Sequence, residues 1–310
     1  MSCVKTLLEG IDRANRLWSD EYERRKVDVP NLYHYTTVDG LRGILSSGSI
    51  YASHVLYLND SSEVKHALDF ASNCLAQIEK SAIEVHGVPA KRLCDYGHFF
   101  FKGAKILWDE DVYVTSFCEE GDLLSQWRGY AMGGFAILFA PLLSDRKFLV
   151  WGDGATKSTI AKVMYGDAEK KEALTRILAA GVKATAKAGD RELETTLATV
   201  TSGQLQTWIH TAKDKSFEHE QEWRIISLVE ARNQPLKASD GFETRIVSGQ
   251  LVPAIRLRPN EQKLLPILGV KCGPNESQEL TEKAVTLLLA SYGYPIDQVS
   301  SSRVPFRSRY

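Results

Sequence analysis

FEHEQEWRII, residues 217–226, reads as an extended segment, and its reading decides how the rest of the chain is arranged. Side chains alternate along a strand, so Glu220, Glu222 and Arg224 fall on one face and Gln221, Trp223 and Ile225 on the other. Two carboxylates and a guanidinium on one surface of an otherwise apolar strand are costly to bury and often idle when exposed. The segment is therefore either the edge of an active site or an edge strand with its charges in solvent and Trp223 and Ile225 inside.

Outward from that run, the chain supplies further strands. NLYHYT (31–36) alternates as a short strand, VDGLRGILSSG (38–48) is a helix closed by Gly48, and SIYASHVLYLND (49–60) is extended. DVYVTSF (111–117) is a β-branched strand, DLLSQWRGYAM (122–132) a short helix or turn, and GGFAILFA (133–140) a buried strand. TIAKVMYG, EWRIISLVE, FETRIVSGQLVPAIRL and LLPILGVKCG complete the strand set, and SQELTEKAVTLLLASYGY (277–294) is the last helix. Residues of about 61–106 and 167–213 show helical periodicity. The expected organisation is an N-terminal helix over 1–30, one α+β core domain over 31–275 with helical insertions at those two places, and a C-terminal helix and tail over 276–310. No internal repeat or long linker divides the chain.

A chain of 310 residues, 44% hydrophobic and 25% charged, is long and apolar enough for a large core. Its formal charge of -1 gives no global attraction to nucleic acid or anionic lipid. Five cysteines, at 3, 74, 94, 118 and 272, show no CxxC pair and read as reduced thiols. Cys94 and His98 stand one helical turn apart, too few ligands for a metal site, so no metal is expected. The opening 26 residues pattern as an amphipathic helix rather than a signal peptide, and the longest apolar run, near Phe135, is far short of the ~18 residues of a membrane helix. The expected location is cytoplasmic.

Three further clusters carry polar chemistry. Tyr33, His34, Tyr35 and Thr36 end a strand just before a helix, where amides and oriented side chains converge; His34 suits a ribose hydroxyl or phosphate and Tyr35 a flat ring, and the competing reading is a core histidine with a satisfied hydrogen bond. Asn59, Asp60 and Glu63 follow a strand and open a helix, where capping by Asp60 or Ser61 is the better reading. Ser116 ends a strand, Trp127, Arg128 and Tyr130 offer stacking and cationic groups, and Gly133 and Gly134 permit close backbone approach. No GxGxxG, Walker loop, HExxH or GxSxG occurs.

Taken together, YHYTTVDGLRGILSSGSIYAS, LYLNDSSE, VTSFCEEGDLLSQWRGYAMGGFAILF, VMYG, HEQEWRI and ILGVKCG resemble the bacterial domain-of-unknown-function family 2971 across roughly residues 31 to 272. That family name states no activity. The YHYT strand, the helix ending in glycine and the following extended segment also look like the opening of ADP-ribosyltransferase folds, as in DNA-targeting toxins and RNA 2'-phosphotransferases. The second resemblance implies a mixed or split β-sheet core of ADP-ribosyltransferase type and NAD as substrate. It implies His34 on the nicotinamide-side ribose with Thr36 beside it, and Ser116 supporting NAD. Glu222 becomes the catalytic acid holding the ribose 2'-hydroxyl, and Glu220 the residue that orients or deprotonates the acceptor. Tyr35, Trp127 or Tyr130 would stack on nicotinamide, and Arg128 or Arg224 would hold pyrophosphate.

The histidine opening belongs to one branch of that superfamily and the paired glutamates more often to another. The expected function is ADP-ribose transfer to an unknown protein or nucleic-acid acceptor, in a toxin or phage-defence effector with an antitoxin or regulatory partner. The alternatives are an NAD glycohydrolase, a non-catalytic nucleotide or nucleic-acid binding sensor, and a phosphoester-processing enzyme using His34, Arg128 and Arg224. An ion pair between Arg224 and Glu222 would make the carboxylates structural.

Overall fold

The computed structural model describes residues 2–21, 28–58, 62–107, 112–140, 148–150, 156–229, 242–247, 249–259, 264–294 and 297–305. In chain order the elements are α1 (Ser2–Glu21), β1 (Leu32–Thr36), α2 (Val38–Ser47), β2 (Ile50–His54), α3 (Ser62–His86), α4 (Val88–Leu107), β3 (Val112–Cys118) and α5 (Leu124–Gln126). They continue with β4 (Phe135–Phe139), β5 (Phe148–Val150), β6 (Thr156–Lys162), α6 (Asp167–Ala186), α7 (Arg191–Ile209) and β7 (Glu222–Val229). The last are β8 (Phe242–Val247), β9 (Gln250–Pro259), β10 (Ile267–Cys272), α8 (Gln278–Ser291) and β11 (Val299–Ser301). No helix among the described residues is long and apolar enough to cross a membrane.

The chain divides into two compact units, one made of Met1–Val27, Asn59–Glu110 and Met164–Lys215, the other of Asp28–Leu58, Asp111–Val163 and Ser216–Tyr310. The first is helical. Its helices α1, α3, α4, α6 and α7 bury Trp18, Leu75, Leu174, Leu197, Leu205 and Trp208 in a core of their own. Asp190 caps α7, its Oδ1 accepting from the Leu193 amide at 2.8 Å. The Lys170 ammonium, fully buried, donates to the Lys213 carbonyl at 3.3 Å and pairs with Asp167 at 2.8 Å, which removes the cost of burying it bare.

The second unit is a mixed sheet, antiparallel except for the parallel pair β10–β11, with α2 and α8 packed on one face. Strands covered on both faces are buried along nearly their whole length, and β3 and β7 are, the polar Glu222 and Arg224 of β7 included. The core on the α2 and α8 side holds Leu41, Ile44, Phe117, Ile137, Trp223, Ile225 and Leu289. Thr37 caps α2 by accepting from the Gly40 amide at 3.1 Å, and Gly48 closes it in the left-handed region at φ 57°.

The sheet divides at β3. One edge of β3 is occupied along Val112–Cys118 by β7. Its other edge pairs with β2 at Val114 and Tyr113, and with β1 at a single position, Tyr33 opposite Cys118. From there β1 continues into β4, β10 and β11, whereas β2 continues into β9 with β5 and β8. Among the described residues no ladder pair fills the interval between the two half-sheets at residues 115–117, and a notch opens there.

Three expectations change at this level. The strand begins at Glu222 and not at residue 217, because Lys215–Glu220 is a 3-10 helix and Gln221 takes a left-handed φ of 44°. β2 stops at His54, and Val55–Tyr57 turns into a 3-10 helix. β7 is also an inner strand, between β3 and β6, so its charged groups are not on a solvent edge. Asn59, Asp60 and Ser61 lie outside the described residues; Glu63, the other member of that cluster, pairs with buried Lys213 at 3.2 Å.

Candidate functional site

The notch between β1 and β3 holds a cavity of about 450 Å³. Tyr33 to Thr36 of β1 line one side and Val114, Thr115, Ser116 and Cys118 of β3 another. Thr37, Asp39 and Gly40 enter from the start of α2, Glu220 and Glu222 from the approach to β7, Tyr51 and Ser53 from β2, and Arg245 from β8. Gln126 and Tyr130, from α5 and the turn after it, also line the cavity. Most of the lining side chains are polar, and their convergence on one concave space is what a site for a polar small molecule requires.

His34 holds the notch. Its Nδ1 lies 2.9 Å from the Ser116 carbonyl, which has no proton to give, so Nδ1–H donates. The imidazole closes by a side chain the place where a backbone ladder is missing, and its ring lies 5.5 Å from that of Phe117. Burial, reinforced by the nearby Arg245 charge against the carbonyl's opposing pull, holds its pKa below the usual histidine value. At neutral pH the ring is therefore uncharged, and its Nε2 presents a lone pair. His34 is then a hydrogen-bond acceptor for a hydroxyl, not a donor to phosphate.

Glu222 and Arg224 share a face, as alternation requires, opposite Cys118 and Ser116 of β3. Both are buried, and Arg224 grips the carboxylate twice, Nε to Oε1 at 2.7 Å and Nη2 to Oε2 at 2.9 Å. The guanidinium is thus occupied in fixing Glu222, and Arg224 is not among the cavity-lining residues. Fixed in this way, Glu222 still lines the cavity. Glu220 reaches the same cavity by another route: it ends the 3-10 helix, and the left-handed Gln221 turns the chain between the two acids. On the opposite face Trp223 is buried, its Nε1 donating to Glu119 at 2.8 Å.

The aromatic and cationic turn is arranged differently from the expectation. Tyr35 is buried edge-on to Trp127 with centroids 4.8 Å apart, and its hydroxyl donates to the Glu120 carbonyl at 3.0 Å while accepting from the Leu123 amide at 2.9 Å. Burial raises the Tyr35 pKa far above the tyrosine range. Trp127 is itself buried, donates to Asp122 at 2.8 Å, and does not line the cavity. Arg128 is exposed and also outside the lining. Tyr130 alone of the three lines it, half-exposed, on a π-helical turn from Trp127 to Ala131. The clearance at Gly134 serves the protein itself: a Cβ there would lie 2.5 Å from the Thr36 carbonyl and 2.8 Å from that of Ala131.

Arg245 and Tyr51 were not singled out from sequence. Arg245 alternates with Glu243 in a hairpin strand, the pattern of an ordinary surface ion pair, and only the pairing of β9 with β2 brings it beside Tyr51. Cys94 and His98 are in the helical unit. Cys94 borders an apolar cavity of about 260 Å³ there, with burial pushing its thiol up to about 11, while His98 bonds Glu79 at 3.0 Å.

Residues 126–225 match the family described as Protein of unknown function (DUF2971), so the first resemblance holds over the segment from the turn before β4 to the middle of β7. No curated protein and no solved structure matches the chain.

Proposed function

We propose that this chain is an ADP-ribosyltransferase-like enzyme that binds NAD in the notch between β1 and β3 and transfers ADP-ribose to a macromolecular acceptor or to water. The observation that carries the reading is the divided sheet itself, with His34 on one lip and Glu220 and Glu222 converging on the same cavity. Breaking the bond between ribose and nicotinamide sends the electron pair out with neutral nicotinamide and leaves positive charge on the ribose. A carboxylate fixed in place stabilises that charge as it develops, and the two-point grip of Arg224 fixes Glu222. The Nε2 lone pair of His34 suits a ribose hydroxyl, and Glu220, which lines the same cavity, would take the acceptor's proton. An exposed Tyr130 offers a ring for stacking. A cytoplasmic toxin or defence effector, kept in check by a partner, fits such chemistry.

One observation favours a second reading. A Glu222 already neutralised by a buried arginine is less able to stabilise a cation, which suits a nucleotide sensor that binds without turnover. Nicotinamide release from NAD by the wild-type protein and its Glu222→Gln variant, with and without cell extract, separates the two. Release by wild type alone supports the enzyme, stimulation by extract indicating a macromolecular acceptor. Equal release by both removes Glu222 from the chemistry, and NAD binding without release identifies the sensor.

A further inference from the structure

We propose that Arg245 is the anion-holding residue of this cavity and takes the phosphate groups of its nucleotide ligand, an assignment that rests on the nucleotide reading of the cleft. Arg245 is the one lysine or arginine among the described residues that line it. The other cations considered for this task are committed elsewhere: Arg224 to Glu222, and Arg128 to the exterior. His34 is uncharged and presents an acceptor, so it cannot hold a phosphate.

The charge count around Arg245 points the same way. Two arginines flank the ring of Tyr51, Arg245 at 4.7 Å and Arg256 at 5.8 Å from its centroid. The carboxylate beside them, Glu243, pairs with Arg256 and accepts from the Tyr51 hydroxyl. No carboxylate among the described residues forms an ion pair with Arg245. Its guanidinium is therefore held by an aromatic face, partly withdrawn from water, with its charge unanswered. Leaving a cation so placed is costly unless an anion completes it, and a planar guanidinium matches phosphate oxygens two at a time. Burial lowers its pKa from the usual arginine value, as expected for a charge lacking a counter-ion.

The test is calorimetric titration of the full chain with ADP-ribose, adenosine and inorganic pyrophosphate. The variants are Arg245→Met, which keeps the bulk, and Arg245→Lys, which keeps the charge without the fork. The expected result is a loss of about tenfold or more in ADP-ribose affinity for Arg245→Met, a partial recovery in Arg245→Lys, and unchanged adenosine binding. Equal ADP-ribose affinity in wild type and Arg245→Met overturns the assignment of Arg245 while leaving the nucleotide cleft standing. Pyrophosphate bound through Arg245, with ADP-ribose ignored, overturns the nucleotide reading and leaves an anion site. Wild type binding none of the three overturns both.

Discussion

Arg224 donates from Nε and Nη2 to the two carboxylate oxygens of Glu222, and both residues are buried on β7. Substituting one partner strands the other charge in the interior. Glu222→Gln, although nearly isosteric, is expected to destabilise the sheet unit by about 3–5 kcal/mol. The double variant Glu222→Gln/Arg224→Gln recovers most of that loss. Chemical denaturation of the three proteins decides it; additive losses in the double variant would show that the pair is not coupled. The activity comparison with Glu222→Gln belongs at a temperature where circular dichroism shows the variant folded.

Trp223, one residue along and on the opposite face, is 2% exposed and packs in the core beneath α2 and α8. Trp223→Ala removes that volume and leaves Glu119 without the indole donor. The expected cost is about 3–5 kcal/mol by thermal or chemical denaturation. A fully stable variant would contradict the placement of this side chain.

His34 makes stability depend on pH in a direction that follows from its burial. The folded state holds the imidazole's pKa below the ordinary value of 6.5, so the unfolded chain binds the proton more readily. Stability from this group is fully present above about pH 6.5 and falls as pH is lowered below that value. His34→Asn, which retains a donor for the Ser116 carbonyl and cannot titrate, should lack this part of the slope. Denaturation midpoints measured across that range for both proteins test it, and parallel curves refute it.

Asp122 fastens the end of the chain. It accepts from the Arg303 amide at 2.7 Å and from Trp127 Nε1 at 2.8 Å, and it also accepts from the Ser302 hydroxyl. Asp122→Ala leaves these donors unanswered, at about 1–3 kcal/mol, and releases the segment 302–305. Limited proteolysis should then cut there faster than in wild type; unchanged cleavage would mean that other contacts secure the segment.

What was legible in the sequence had a short-range physical cause. The alternation in EWRI put Trp223 in the core and Glu222 beside Arg224; Gly48 closed α2; and the helical periods of the two long stretches gave α3, α4, α6 and α7. Departures arise where tertiary contacts decide. Nothing local announces that Gln221 is left-handed, so the sequence reads as a strand as far back as Phe217. Tyr35 and Trp127 look like stacking platforms in sequence, and become buried once β1 and the turn before β4 pack together. Arg245 joins the cavity only through two successive strand pairings, β8 to β9 and β9 to β2.

β1 and β3 meet at one backbone pair, Tyr33 with Cys118, and beyond it an imidazole reaches across from His34 to the Ser116 carbonyl. Ladder spacing is a fixed ~4.8 Å that no substitution adjusts. The ladders of β1 with β4 and of β3 with β7 are made by main-chain groups, so what spans the opening at this point is a side chain and not part of the sheet's framework.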